Sequence, residues 1–155
     1  MKLGELLALR ADLQKRMHQV QKRLLDNATL QEGDAPTVDP AALLNQYRDL
    51  AGEHEAIVLR INRTNVAART AVRGETLTLS DAVLRRERLA RHAGVLRDLI
   101  DRAMPERNRF LRTEIKHVPA FDVPAVIAQA DTLSREHREL DTRIQQTNWE
   151  VDALE

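Results

Sequence analysis

Apolar residues recur at helical spacing along most of the chain. In the first segment they form one stripe of residues three or four apart: Leu6, Leu9, Leu13, Met17, Val20 and Leu24. This spacing is typical of an amphipathic helix that buries one face. Turn-forming residues interrupt the pattern three times. We therefore predict one helical domain over residues 1–155, with helices at about 3–28, 40–72, 78–114 and 123–152.

Helix-capping residues mark the beginning of three of these segments. Asp39 precedes Pro40, which gives an acidic N-cap followed by proline at the first helical position. Thr78 and Asp81 have the spacing of a capping box, in which two side chains satisfy backbone N–H groups. Asp122 is expected to cap the fourth helix.

The segments between the predicted helices contain weaker indications of structure. Gly74 follows the second predicted helix, as a C-cap glycine would. Pro105 is expected to kink or divide the third helix, since proline lacks a backbone N–H. In the segments 76–79 and 114–118 apolar and polar residues alternate, so the two could pair as a small β-ribbon.

Heptad spacing is clearest in the second and fourth helices. The second carries Leu43, Tyr47, Leu50, His54, Ile57, Ile61, Thr64, Ala68 and Ala71. The fourth carries Val126, Ala130, Leu133, His137, Leu140, Ile144, Thr147, Val151 and Leu154. A repeat of 3.5 residues held this long indicates supercoiled packing. The predicted fold class is all-α, a long antiparallel four-helix bundle of coiled-coil type.

An internal repeat accompanies the heptads. Residues 52–65, GEHEAIVLRINRTN, align with residues 135–148, REHRELDTRIQQTN, with six identities in fourteen positions. Residues 22–28 and 97–103 also resemble each other. These matches predict a duplicated αα-hairpin.

The repeat places polar side chains near two helix seams. In a bundle with diagonal second and fourth helices, matched residues would form polar layers. The candidate binding residues are His54, Arg60, Asn62 and Asn65 with His137, Arg143, Gln145 and Asn148. One interpretation is structural, because a buried polar layer fixes the register of a bundle. The alternative is a site for a metal or a small anion.

The pattern does not match a di-metal site of the ferritin type. Such a site needs Glu three residues before His on two helices. Those positions hold Ala51 before His54 and Ser134 before His137. The metal question therefore stays open, and we expect no cofactor.

Composition narrows the possible functions. The chain has no Cys, a formal net charge of zero and four aromatic residues. Thiol chemistry and disulfides are therefore excluded, and few aromatic side chains are present that could stack on the bases of a nucleic acid. No apolar stretch is long enough to span a bilayer and no secretory signal is evident, so we expect a cytoplasmic protein and no membrane association.

Opposite charges separate along the second half of the chain. Residues 78–116 carry ten basic and six acidic side chains, and residues 122–155 carry three and eight. The basic run RRERLAR at 85–91 is the best candidate for nucleic-acid contact, but pairing between adjacent helices explains it more simply. We predict no nucleic-acid partner.

Trp149 lies off the predicted seam of the fourth helix. Two interpretations stay open, a plug at the end of the bundle and a contact between subunits, where Trp is favoured.

Four stretches carry a resemblance to a known family: LQKRMHQVQKRLLDNATLQEGDAPTVDP, RINRTN, TEIKHV and ELDTRIQQTNW. Together they resemble a family of small bacterial helical proteins whose members are sometimes labelled septicolysin. The resemblance covers the whole chain and implies a soluble, mostly helical fold with no established catalytic residues. The label itself suggests a membrane-active, lysin-like protein.

The combined prediction is a non-enzymatic helical protein that acts in structure or interaction. We expect it to associate with itself or with another helical protein. The first alternative is a ligand- or metal-binding bundle that uses the paired polar layers, and the second is the membrane-active protein suggested by the family label.

Overall fold

The computed structural model describes residues 1–104 and 118–155. These residues form four helices and one two-stranded sheet, so the protein is predominantly α-helical, as predicted. In chain order the elements are α1 (Leu3–Asp26), α2 (Pro40–Ala67), β1 (Arg69–Val72), β2 (Glu75–Thr78), α3 (Leu79–Ala103) and α4 (Val123–Glu150).

The chain forms two compact units, and the first contains residues 1–69 and 145–155. In this unit α1 packs against α2. The buried apolar side chains follow the predicted stripes: Leu3, Leu6, Leu13 and Val20 from α1, and Leu43, Leu50, Ile57 and Ile61 from α2. Positions seven apart are buried along each helix, which is the spacing that coiled-coil packing requires.

The second unit contains residues 70–144. Its core combines apolar side chains from the sheet and two helices: Leu77, Leu79, Ala82, Leu89, Ala93, Leu96, Ala130, Leu140 and Ile144. Leu140 and Ile144 lie four apart on α4, so that helix also buries one stripe.

The predicted helix caps are confirmed. The Asp39 carboxylate accepts a 2.9 Å bond from the backbone N–H of Ala41. The Thr78 hydroxyl accepts a 2.9 Å bond from the N–H of Asp81 and donates to its carboxylate at 2.7 Å. Asp122 accepts a 3.1 Å bond from the third residue of α4. Each bond from a backbone N–H satisfies a group that has no partner within the helix. The predicted capping box is confirmed only in part, because the Asp81 carboxylate accepts from the Thr78 hydroxyl.

The predicted end of the second helix was wrong. α2 ends at Ala67, and residues 69–72 form β1 instead of continuing the helix. Arg73 and Gly74 have φ values of 51° and 80°, and two consecutive residues at positive φ make the tight turn of a two-residue hairpin. Gly74 therefore closes a hairpin, whereas the sequence pattern treated it as a helix cap.

Arg69 stabilises this earlier helix end. Its guanidinium donates to the carbonyl groups of Val66 and Ala67, both at 2.9 Å, and to that of Ala68 at 3.4 Å. A basic side chain beside the last carbonyl groups satisfies acceptors that the helix leaves open.

The predicted pairing of residues 76–79 with residues 114–118 stays a prediction. β2 contains residues 75–78 and pairs with β1, its neighbour in the chain. The other proposed partner, residues 114–118, falls almost entirely outside the described residues. So do Pro105 and the last part of the predicted third helix. In the described part α3 ends at Ala103, and the N–H of Met104 donates to Ile100.

Candidate functional site

Residues 1–3 and 151–153 are joined by a single antiparallel bridge within the first unit. Lys2 lies opposite Asp152, and the two backbone bonds beside this bridge measure 3.0 and 2.9 Å. The Lys2 ammonium lies 3.0 Å from the Asp152 carboxylate. That hydrogen bond, together with the charge of Lys2, holds the pKa of Asp152 below its ordinary value.

The C-terminal end of α2 holds the residues that follow this bridge. The Thr64 hydroxyl accepts a 2.9 Å bond from the N–H of Leu154 and donates to Arg60 O at 2.8 Å. The Arg60 guanidinium donates to Leu154 O at 3.1 Å, and Arg63 donates to Glu155 O at 3.4 Å. We call the paired segments 1–4 and 149–155, with these three α2 side chains, the clasp.

Trp149 packs face-on against Gly4 in the clasp. A Cβ atom at position 4 would lie 2.8 Å from Trp149 Cδ2 and 2.9 Å from Cε2 and Cε3. Only glycine leaves room for this approach, because it has no side chain. Trp149 is nevertheless 59% exposed, so one ring face is held by the protein while much of the indole meets solvent.

The predicted polar residues are distributed across both units. In the first unit Thr64, Thr147 and Asn148 are buried. The other candidates there vary in exposure: His54, Arg60 and Asn65 are half-buried, and Asn62 and Gln145 are exposed. In the second unit His137 is half-buried and Arg143 is exposed. Arg60 and Thr64 both bond the backbone of Leu154. That His54 faces His137 stays a prediction.

One nitrogen of the predicted layer has no partner in the described residues. His54 Nε2 is inaccessible to solvent and makes no hydrogen bond with residues 1–104 or 118–155. Over the same ranges, no group of three or more His, Asp or Glu side chains is placed to hold a metal ion. The ligand- or metal-binding role of the layer stays a prediction.

The β1–β2 hairpin forms a second polar cluster, in the second unit. The Arg73 guanidinium donates to Glu136 at 2.7 Å and to Glu139 at 2.9 Å. The two glutamates are three residues apart on α4, so they present neighbouring carboxylates to one guanidinium. The hydrogen bonds that Arg73 donates to Glu139 and then to Glu136 raise the pKa of Arg73.

A bidentate ion pair joins the hairpin to α3. Arg85 donates to both carboxylate oxygens of Glu75, at 2.6 and 3.0 Å. The hydrogen bonds of this pair, and then the attraction of its charges, lower the pKa of Glu75 and raise that of Arg85. Arg143, a predicted site residue, donates to Ala71 O at 3.0 Å and so contacts the hairpin backbone.

A cleft of about 350 Å³ lies between the hairpin, α3 and α4 in the second unit. Its walls include Arg73, Glu75, Arg85, Arg88, Leu89 and Leu140. The sequence pattern did not indicate this cleft, because β1, which contributes to one wall, was predicted as helix. The run at 85–91 was noted only as a candidate nucleic-acid contact, and it supplies Arg85 and Arg88 to this cleft.

One predicted charge pairing is observed in the second unit. Arg86 donates to Asp141 at 2.7 Å, which joins the basic α3 to the acidic α4. In the part of the chain that the structure describes, no helix has both the length and the apolar character needed to cross a membrane.

The helices and the small sheet define a predominantly α-helical protein. The chain belongs to the family of unknown function DUF6847, whose family model matches residues 10–153. It is similar to a solved structure described as a functionally unknown conserved protein from Corynebacterium diphtheriae, with 34% identity, 99% coverage of each chain and a TM-score of 0.90. No curated protein matches the chain. Neither description uses the name septicolysin, and that assignment stays a prediction.

Proposed function

We propose that this protein is a non-enzymatic helical interaction protein that associates with a second copy of itself through the clasp. The proposal rests on the packing and exposure of Trp149. Its indole is fixed on one side by Gly4 and exposed over more than half of its surface. An exposed tryptophan held rigidly is the kind of residue on which interfaces concentrate their binding energy.

The surroundings of Trp149 favour an interface over a solvated surface. Met1 and Leu154 are also largely exposed, and both belong to the clasp. The backbone that carries these side chains is hydrogen-bonded, so little backbone entropy is lost on association. That backbone is anchored by Thr64 and Arg60.

The polar residues of α2 have a structural role in this account. Arg60, Arg63 and Thr64 bind the backbone of residues 154–155 and thereby position the clasp. Arg60 and Thr64, which the sequence pattern singled out, hold another part of the same chain, and this favours a structural role for them over a ligand site.

The experiment is sedimentation velocity over a concentration series from about one to one hundred micromolar, a range suited to a Kd of about 10 μM, or −6.8 kcal/mol. Wild type is expected to shift from monomer to dimer, and Trp149→Ala is expected to stay monomeric. Leu25→Ala is the matched control, since Leu25 is 68% exposed near the other end of α1. A wild type that is monomeric throughout, or a Trp149→Ala variant that dimerises like wild type, contradicts the proposal.

We further propose that the chain is a duplicated αα-hairpin arranged as a four-helix bundle. The sequence match of residues 52–65 with 135–148 has an offset of 83. α2 and α4 are both 28 residues long and begin 83 residues apart, and their caps Asp39 and Asp122 have the same offset. This agreement supports duplication, because helix boundaries are set by capping residues that the sequence match does not include.

A further inference from the structure

Arg88 brings a guanidinium without a carboxylate partner into the cleft of the second unit. The other two arginines of the cleft are paired, Arg73 with two glutamates and Arg85 with one. Arg88 forms neither an ion pair nor a hydrogen bond with the described residues, and it lines the cleft. A guanidinium without a carboxylate partner is available to an anion from solution.

The cleft also has an apolar floor. Leu89 and Leu140 line it and are only 3% and 2% exposed, so they are part of the unit's core. Val72 extends the same wall from β1. The volume of about 350 Å³ is at the lower end of the range of small-molecule pockets, about 300–1,000 Å³.

The walls around Arg88 are held in place by the hairpin contacts. Arg73 bonds two glutamates on α4, and Arg85 bonds Glu75 through both carboxylate oxygens. These contacts fix the hairpin to both helices that form the cleft. The cavity therefore exists before any ligand arrives, which lowers the entropic cost of binding.

We propose that this cleft binds an organic monoanion, a carboxylate attached to a short aliphatic chain. The single free charge of Arg88 matches one carboxylate, with the planar guanidinium donating two parallel hydrogen bonds. The aliphatic chain lies against Val72, with the core residues Leu89 and Leu140 behind it. Binding at this cleft is independent of the proposed self-association, because it uses none of the clasp residues.

Isothermal titration calorimetry with hexanoate tests the proposal, and hexanol and hexylamine serve as neutral and cationic ligands of matched length. Wild type is expected to bind hexanoate saturably and to bind the other two far more weakly. Arg88→Gln is expected to weaken hexanoate binding by about tenfold or more, which is the usual effect of losing a charged hydrogen bond. Arg88→Lys keeps the charge but loses the planar fork, so it is expected to lie between the two.

Arg91→Gln is the control variant. Arg91 is one turn further along α3, is exposed, lies 4.0 Å from Glu87 and does not line this cleft. It is expected to bind hexanoate as wild type does, and circular dichroism checks that all variants are folded. The proposal is overturned if wild type shows no saturable binding, if the Arg88 and Arg91 variants weaken equally, or if inorganic phosphate binds as tightly as hexanoate.

Discussion

Replacing Gly4 with alanine is expected to destabilise the first unit, because the added methyl group meets the Trp149 ring. The new Cβ would lie 2.8–2.9 Å from three ring atoms, where ordinary carbon contacts are about 3.5–4.0 Å. Either the indole moves off the clasp or the backbone at position 4 shifts. Overpacking of this kind costs about 1–3 kcal/mol.

Gly52→Ala is the matched control for this substitution. Gly52 lies inside α2 in the same unit, and a Cβ there would meet nothing within 4 Å. The control is expected to gain about 0.4–1 kcal/mol, since alanine restricts the unfolded chain and suits a helix better. The two variants should therefore differ by roughly 1.5–4 kcal/mol in free energy of unfolding.

Urea denaturation followed by circular dichroism measures this difference, provided that all variants unfold with the same slope. Combining the substitution with Trp149→Ala removes the obstacle, so Gly4→Ala should become nearly neutral in that background. If Gly4→Ala stabilises the protein as Gly52→Ala does, or costs as much without the indole as with it, the contact is not what makes glycine necessary.

Two further predictions concern single polar contacts. Thr64→Val leaves the N–H of Leu154 without its acceptor at a position where Thr64 is only 1% exposed, so it should lower the free energy of unfolding by about 1–3 kcal/mol in urea denaturation. Thr64→Ser keeps the hydroxyl and should retain most of the stability. Equal losses in the two variants would contradict this role for the hydroxyl. Because Arg85 lowers the pKa of Glu75 below its ordinary 4.5, the ionised carboxylate contributes stability above the unfolded pKa that is lost as pH falls through the folded pKa. Glu75→Gln should therefore be less stable than wild type at neutral pH and equal to it in strong acid, and a difference that persists in acid would show that charge is not its cause.

The helices were predictable because their signals are local. Asp39, Thr78 and Asp122 cap helices through bonds to residues two or three positions away, and capping residues are recognisable in sequence. The buried residues of α1 and α2 follow a heptad that is equally visible. Such features need no knowledge of the rest of the fold.

The hairpin could not be predicted because its turn residues are compatible with two different structures. Gly74 is as suitable for a helix C-cap as for a tight turn, and Arg73 at positive φ is unusual for a residue other than glycine, asparagine or aspartate. Its guanidinium bonds Glu136 and Glu139, more than sixty positions away. Contacts at that separation leave no local pattern.

The clasp was predicted only in part. The unusual polar residues of α2 and the off-seam Trp149 were identified as candidates, but not the contacts they make. Thr64 bonds Leu154 across ninety positions, and Trp149 contacts Gly4 near the other end of the chain. Gly4 lies in a regular helix where nothing in the sequence indicates that an indole approaches it.

Trp149 is the only tryptophan in the chain, so its fluorescence reports directly on the proposed interface. The decisive measurement is its emission maximum and acrylamide quenching over the concentration series used for sedimentation. We expect the emission to shift to the blue and quenching to fall with the same midpoint as dimer formation. If the mass increases while emission and quenching stay constant, the copies associate elsewhere and the account of the clasp is wrong.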